Sequence, residues 1–208
     1  MQVWSDSFDD GAMIPDEFAL FRSCDDPGPV EPSGNRSPHL AWSGAPEGTE
    51  SFVVTCIDHT APTSADDVNQ PDREVPESLR RADFTHWLLA DIPAGMTSFS
   101  EGDHCEGLTA GGKPADGARV GVHGQNDYTG WFAGDPDLGG SWNGYDGPAP
   151  PWNDSLFHEY EFIVYAVDVP SLALPPGFSR ADLDAALEDR VLASASITGM
   201  YTTNARLR

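Results

Sequence analysis

Hydrophobic and polar positions along this chain fall into a few short apolar runs separated by long polar stretches. Residues 52–57, FVVTCI, form an apolar run of the kind found in a strand covered on both faces, and residues 85–92, THWLLADI, form another. Residues 158–168, HEYEFIVYAVD, predict a third and longer strand. Its period of two puts His158, Tyr160, Phe162, Val164 and Ala166 on one face and turns Glu159 and Glu161 to the other. Helical periodicity is clear only in SRADLDAALEDRVLAS, residues 179–194. There Ser179 can cap the start with Asp182 three residues on, and Leu183, Leu187 and Val191 form one stripe. ASITGMY then predicts a last strand, and TTNARLR reads as a polar tail.

Two stretches lack periodicity. Residues 63–83 are polar and proline-bearing, and residues 101–157 mix Gly, Asp, Trp and Pro. Long irregular segments in a compact fold are usually functional. The second contains YTGWFAGDPDLGGSWNGYDGPAPPWND, too rich in aromatic residues for a solvated linker, so it is expected to fold back and wall a cavity. With no internal repeat, heptad or low-complexity linker, one domain spanning residues 1–208 is expected, a length that a β-sandwich can fill undivided. The 21 glycines and 18 prolines agree with many turns and few helices.

Charge narrows the partners. A formal net charge of −23 and a pI near 4.2 set up a negative field that repels nucleic acid and anionic membranes at long range. Any anionic ligand must therefore be drawn in by local donors. The opening MQVWSDSFDDGAMIP has no basic stretch leading into an apolar one, and no run of about 18 apolar residues follows, so a soluble, cytoplasmic protein without membrane insertion is expected. Cys24, Cys56 and Cys105 have no C-x-x-C spacing and read as inert thiols.

Three blocks carry a family resemblance. NRSPHLAWSGAPEGTESFVVTCIDHTAPT, with Asn35, Ser37, Pro38, Leu40, Trp42, Asp58 and Pro62, resembles an Asn-x-Ser-Pro-x-Leu-x-Trp segment leading into a strand that ends in an Asp-x-Asp-x-Pro turn. DFTHWLLADIPAG, with His86, resembles a His-Trp strand followed by Ile-Pro. GYDGPAPPWNDSLFHEY, with Pro150, Pro151, His158 and Tyr160, resembles Gly-Tyr-x-Gly-Pro-x-Pro-Pro before His-x-Tyr. Together with a weaker fit of IPDEF and ITGMY, the blocks cover nearly the whole chain. They are similar to the phosphatidylethanolamine-binding protein family, whose bacterial branch is also described as Raf-kinase-inhibitor-like. Thr60, where the family often has a second Asp, Ala149 in place of a frequent Cys, and Glu159 in place of a frequent Arg are departures.

The resemblance implies an all-β fold, an antiparallel Greek-key β-sandwich with a helix near the C-terminus and long irregular loops. It also implies a pocket for a small anion, phosphate or a phosphorylethanolamine-like head group, with no cofactor and no metal. Asp58 would accept from an imidazole, His86 and His158 would donate toward the anion, Tyr160 would add a hydroxyl, and Pro62, Pro151 and Trp87 would line the pocket. Trp87, Trp131, Trp142 and Trp152 read as core or loop anchors rather than stacking platforms. The kinase-binding role of animal relatives is not carried over, and a homodimer, as some bacterial relatives form, stays open. The alternative is a hydrolase of small phosphorylated compounds, with two His and an Asp holding a metal. Against it stand the absence of H-x-x-x-H, H-E-x-x-H and G-x-S-x-G motifs and of a strand-to-helix context for Ser141.

Overall fold

A computed structural model describes residues 1–24 and 30–208. In chain order its strands are β1 (Gln2–Trp4), β2 (Phe21–Ser23), β3 (Val30–Pro32), β4 (Leu40–Ser43), β5 (Ser51–Pro62), β6 (Arg81–Pro93), β7 (Ser98–Phe99), β8 (Val122–His123), β9 (His158–Val167) and β10 (Val191–Tyr201). Two short helices, α1 (Tyr128–Trp131) and α2 (Arg180–Leu187), interrupt them.

β5, β6 and β9 contain the three predicted strands, each within a few residues of its expected bounds. They form the centre of a five-stranded antiparallel sheet ordered β10-β9-β5-β6-β8. Within it β5, β6 and β8 follow one another and β9 returns beside β5, which is the Greek-key order. A three-stranded sheet, β1-β4-β7, packs on one face, and the main core lies between the two. Phe52, Val54 and Cys56 of β5, Leu89 of β6 and Phe162 and Val164 of β9 meet Leu40, Trp42 and Phe99 there. The other face carries Val53, Leu88, Ala90 and Val167 beneath Phe178 and Leu183. Coverage on both sides explains why FVVTCI and THWLLADI read as continuous apolar runs rather than as alternation.

Two terminal expectations need correction. The predicted helix over 179–194 stops at Leu187, and Val191 opens β10 instead. Ser179 and Asp182 form the expected capping box, and Leu183 is buried. Asp189, however, sits at φ 59, which ends helical winding, and the residues after it gain a full ladder against the open edge of β9. Val191 and Leu192 stay exposed, so the stripe that suggested a longer helix has no surface to bury against.

The TTNARLR segment is likewise no free tail. Thr202, Thr203 and Asn204 are buried. Thr203 Oγ1 donates to the Pro150 carbonyl at 2.6 Å, and Asn204 Nδ2 donates to that of Asp154 at 2.7 Å, so the chain end pins the proline-rich loop.

The two irregular stretches are tied down from inside. Asn153 donates from its amide to the carbonyls of Asp67, Gln70 and Arg73 and accepts from the Asn69 N–H, which shapes the 63–83 loop around one side chain. Leu20, Tyr128 and Trp142, joined by Phe21, Phe84, Phe132 and Leu138, anchor the 101–157 stretch. Tyr128 Oη donates to the Gly147 carbonyl at 2.7 Å. A side chain at position 147 would collide with the Phe18 carbonyl, so only glycine lets this loop pass so close. No helix among the described residues is long and apolar enough to cross a membrane.

Candidate functional site

The site begins with strand pairing. Asp58 on β5 pairs with Phe84 of β6 on one side and Tyr160 of β9 on the other, so their side chains share a face of the sheet. Two irregularities re-aim the neighbours. Cys56 pairs with Trp87 and Ile57 with Thr85, which leaves His86 as the extra residue of a bulge, and a second register shift follows Asp58. The two adjacent rings have different neighbours. His86 lies 5.0 Å from Tyr160 and 5.2 Å from Tyr128 between ring centres, while Trp87 heads into the core against Phe99, Tyr145 and His104.

Around this meeting point lies a cavity of about 90 Å³. Its walls are Asp58, Ala61 and Pro62 from β5, Phe84 and His86 from β6, Tyr128 and Trp131 from α1, Ala149, Pro150 and Pro151 from the loop, and His158 and Tyr160 from β9. The predicted residues Asp58, Pro62, His86, Pro151, His158 and Tyr160 are thus brought together, and the 101–157 stretch does wall the cavity. Trp87 is not among its walls, a correction to its expected place in the pocket: it packs in the core instead. Trp131 is not an anchor either: 44% exposed, it stands at the mouth.

Hydrogen bonding divides these polar residues into two groups. His158 is clamped: its Nδ1 is 2.7 Å from Asp58 Oδ2 and its Nε2 is 3.1 Å from Asp154 Oδ2. Burial pushes its pKa down, but Asp58 and Asp154 outweigh burial and carry it up to about 9, so the ring is an imidazolium with both N–H groups committed. The other oxygen of Asp58 accepts from the N–H and hydroxyl of Thr60, at 2.7 and 2.6 Å. Burial pushes the Asp58 carboxyl up, and the charge and hydrogen bonds of His158 hold it below its ordinary value nonetheless. Asp154 also takes two hydrogen bonds from Arg81, at 2.6 and 2.9 Å. Two carboxylates and two cations balance here, so the cavity wall carries no net charge and His158 has no donor left for an anion. The expected donor role of His158 is corrected accordingly.

His86 and Tyr160 form the second group. His86 Nδ1 lies 2.9 Å from the Asp146 carbonyl, which can only accept, so Nδ1 carries the proton. Its Nε2 has no hydrogen bond. The Asp146 N–H donates back to the His86 carbonyl at 3.0 Å, and the Asp146 carboxylate is held by Asn35, Asn126 and Lys113, the only lysine in the chain. Burial pushes the pKa of His86 down, against the pull of Asp58 and Asp146. The Tyr160 hydroxyl is buried without a partner, and burial pushes its pKa well up. Cys56 and Cys105 are buried, and burial raises both thiols, Cys105 to about 11. No group of three or more His, Cys, Asp or Glu among the described residues is placed to hold a metal.

Arg81, Asp154 and Tyr128 are the residues that sequence reasoning missed, while Thr60, singled out only as a departure from the family pattern, braces Asp58. Asp154 stands four positions before His158, and Arg81 is one of only 11 basic residues in a strongly acidic chain, so both left a faint signal.

With this geometry in hand, comparison with known proteins is informative. The family model described as phosphatidylethanolamine-binding protein matches residues 4–202. A UPF0098 protein of Aquifex aeolicus is 32% identical over 97% of this chain and 88% of its own length, and YbhB of Escherichia coli is 33% identical over 81% and 82%. The crystal structure of E. coli YbcL, described as a member of the mammalian PEBP family, superposes with a TM-score of 0.67 at 27% identity over 97% of both chains. A match over nearly the full length, carried by the same strands that build the cavity, means that this chain belongs to the phosphatidylethanolamine-binding protein family.

Proposed function

We propose that this protein is a binding module that seats a small oxyanion, phosphate or a phosphorylated head group, in the cavity between β5, β6, β9 and the proline-rich loop. The observation that carries this reading is a cavity walled largely by apolar side chains in which the polar atoms Tyr160 Oη and His86 Nε2 make no hydrogen bond. A buried hydroxyl without a partner costs about 1–3 kcal/mol, which a ligand oxygen would relieve. The size agrees, since about 90 Å³ is far below the roughly 300–1,000 Å³ of drug-sized sites and suits a head group of a few atoms. Both oxygens of Asp58 and both nitrogens of His158 are committed, which supports holding a ligand rather than attacking one.

The test is calorimetric titration of phosphate and of O-phosphorylethanolamine into metal-stripped protein beside a Tyr160→Phe variant. Binding without metal is expected, weakened roughly tenfold by loss of the hydroxyl. No binding of either compound would contradict the reading. Binding only after zinc is added, together with phosphate release from a phosphorylated compound, would replace it with a hydrolase.

A further inference from the structure

Polar and apolar residues are segregated around the cavity. The polar wall residues Asp58, His86, His158 and Tyr160 are all buried. The wall residues that reach solvent, and so form the rim, are Ala61, Pro62, Phe84, Trp131 and Ala149, all of them apolar. Trp131 is the most exposed of the five. On α1 and just beyond it, Tyr128 and Phe132 stack on each other with ring centres 5.4 Å apart and pack inward against Trp142. The Trp131 indole is left 44% exposed, and no ring among the described residues contacts it. An exposed indole continuous with four other apolar side chains at a cavity mouth is surface that an occupant can cover.

Size decides what part of an occupant reaches it. About 90 Å³ takes a head group of a few atoms, so the remainder of any larger ligand lies across the rim. None of the rim residues is charged, so an ammonium or carboxylate there finds no ion-pair partner on the rim, and the net charge of −23 opposes a further anionic group. Five short-reaching side chains also make no channel for an acyl chain. We infer that the ligand is an oxyacid monoester with an uncharged aromatic substituent, and that Trp131 is the residue that selects this substituent by stacking on it; this rests on the oxyanion reading above.

The experiment is titration of phosphate, phenyl phosphate and O-phosphorylethanolamine into the unaltered protein, Trp131→Ala and Trp131→Phe. Trp131 belongs to none of the core clusters, so both variants are expected to fold. Phenyl phosphate should bind roughly tenfold tighter than either of the other two compounds, the gain from one stacked and partly buried ring. In Trp131→Ala its advantage should shrink to within about twofold, while Trp131→Phe, which keeps a ring, should retain most of it. Phenyl phosphate binding no tighter than the other two, or an advantage that survives in Trp131→Ala, would overturn the inference and leave the oxyanion reading standing. A short-chain phosphatidate that binds more tightly than phenyl phosphate would also overturn it, by giving the rim to a lipid. Binding of none of these compounds would overturn both.

Discussion

His158→Ala is expected to lower the unfolding free energy by about 3–5 kcal/mol near neutral pH, the range seen when one partner of a buried charge cluster is removed. His158 is the cation between Asp58 and Asp154, all three with essentially no exposed side chain. Without it Asp58 keeps only Thr60, and Asp154 keeps Arg81 but loses the contact that joins β9 to the loop. A pKa raised from 6.5 to about 9 also fixes the pH behaviour. The stabilisation from protonated His158 is complete below about pH 6.5 and is lost as pH rises through about 9. Urea denaturation of the unaltered protein should weaken across that window, and the variant should lack the weakening. A loss below about 1 kcal/mol would mean that the two carboxylates find water once the ring is gone.

Acid is expected to act through a different pair. His104 and His123 lie outside the cavity with ring centres 5.8 Å apart; both are buried, and His104 Nδ1 and His123 Nε2 have no partner. Burial lowers both from 6.5 to about 4. A depressed histidine is protonated first in the unfolded chain, so stability is unaffected above about pH 6.5 and falls as pH drops toward 4. Each contributes a loss on the order of 3 kcal/mol over that interval, by the usual conversion of pKa shift to free energy. His158 is silent there, being charged in both states. Asp58 and Asp154, held below their ordinary values, add to the loss at the acid end. Thermal unfolding between about pH 7 and 4 should show the fall, and His104→Gln combined with His123→Gln should flatten most of it. An unchanged acid limb in the double variant would assign the loss to the carboxylates.

How much of this was legible in the sequence depends on whether the information was local. Alternation placed His158, Tyr160, Phe162, Val164 and Ala166 on one buried face because period two is set by the strand alone. The motif blocks located Asp58 and His86 on the strands where the structure has them. Trp87 lies in the core, as its reading as a core anchor expects; the bulge at His86 is a property of pairing with β5 and was not visible in the sequence around it. The roles of the two histidines were equally hidden. A donor's availability depends on what else claims it, and the claimant on His158, Asp154, sits on a loop held by Asn204 and Arg81 from two distant parts of the chain. The premature end of α2 has the same origin, since the edge of β9 that recruits β10 is a tertiary feature.

The division of labour between the histidines is the central point, and nitrogen-15 NMR of the imidazole side chains during phosphate addition tests it most directly. The His86 Nε2 resonance is expected to move as a new hydrogen bond forms, while both nitrogens of His158 keep the shifts of a carboxylate-bound imidazolium throughout. Movement of the His158 resonances with His86 unchanged would contradict this assignment and place the ligand against the ion-pair cluster instead.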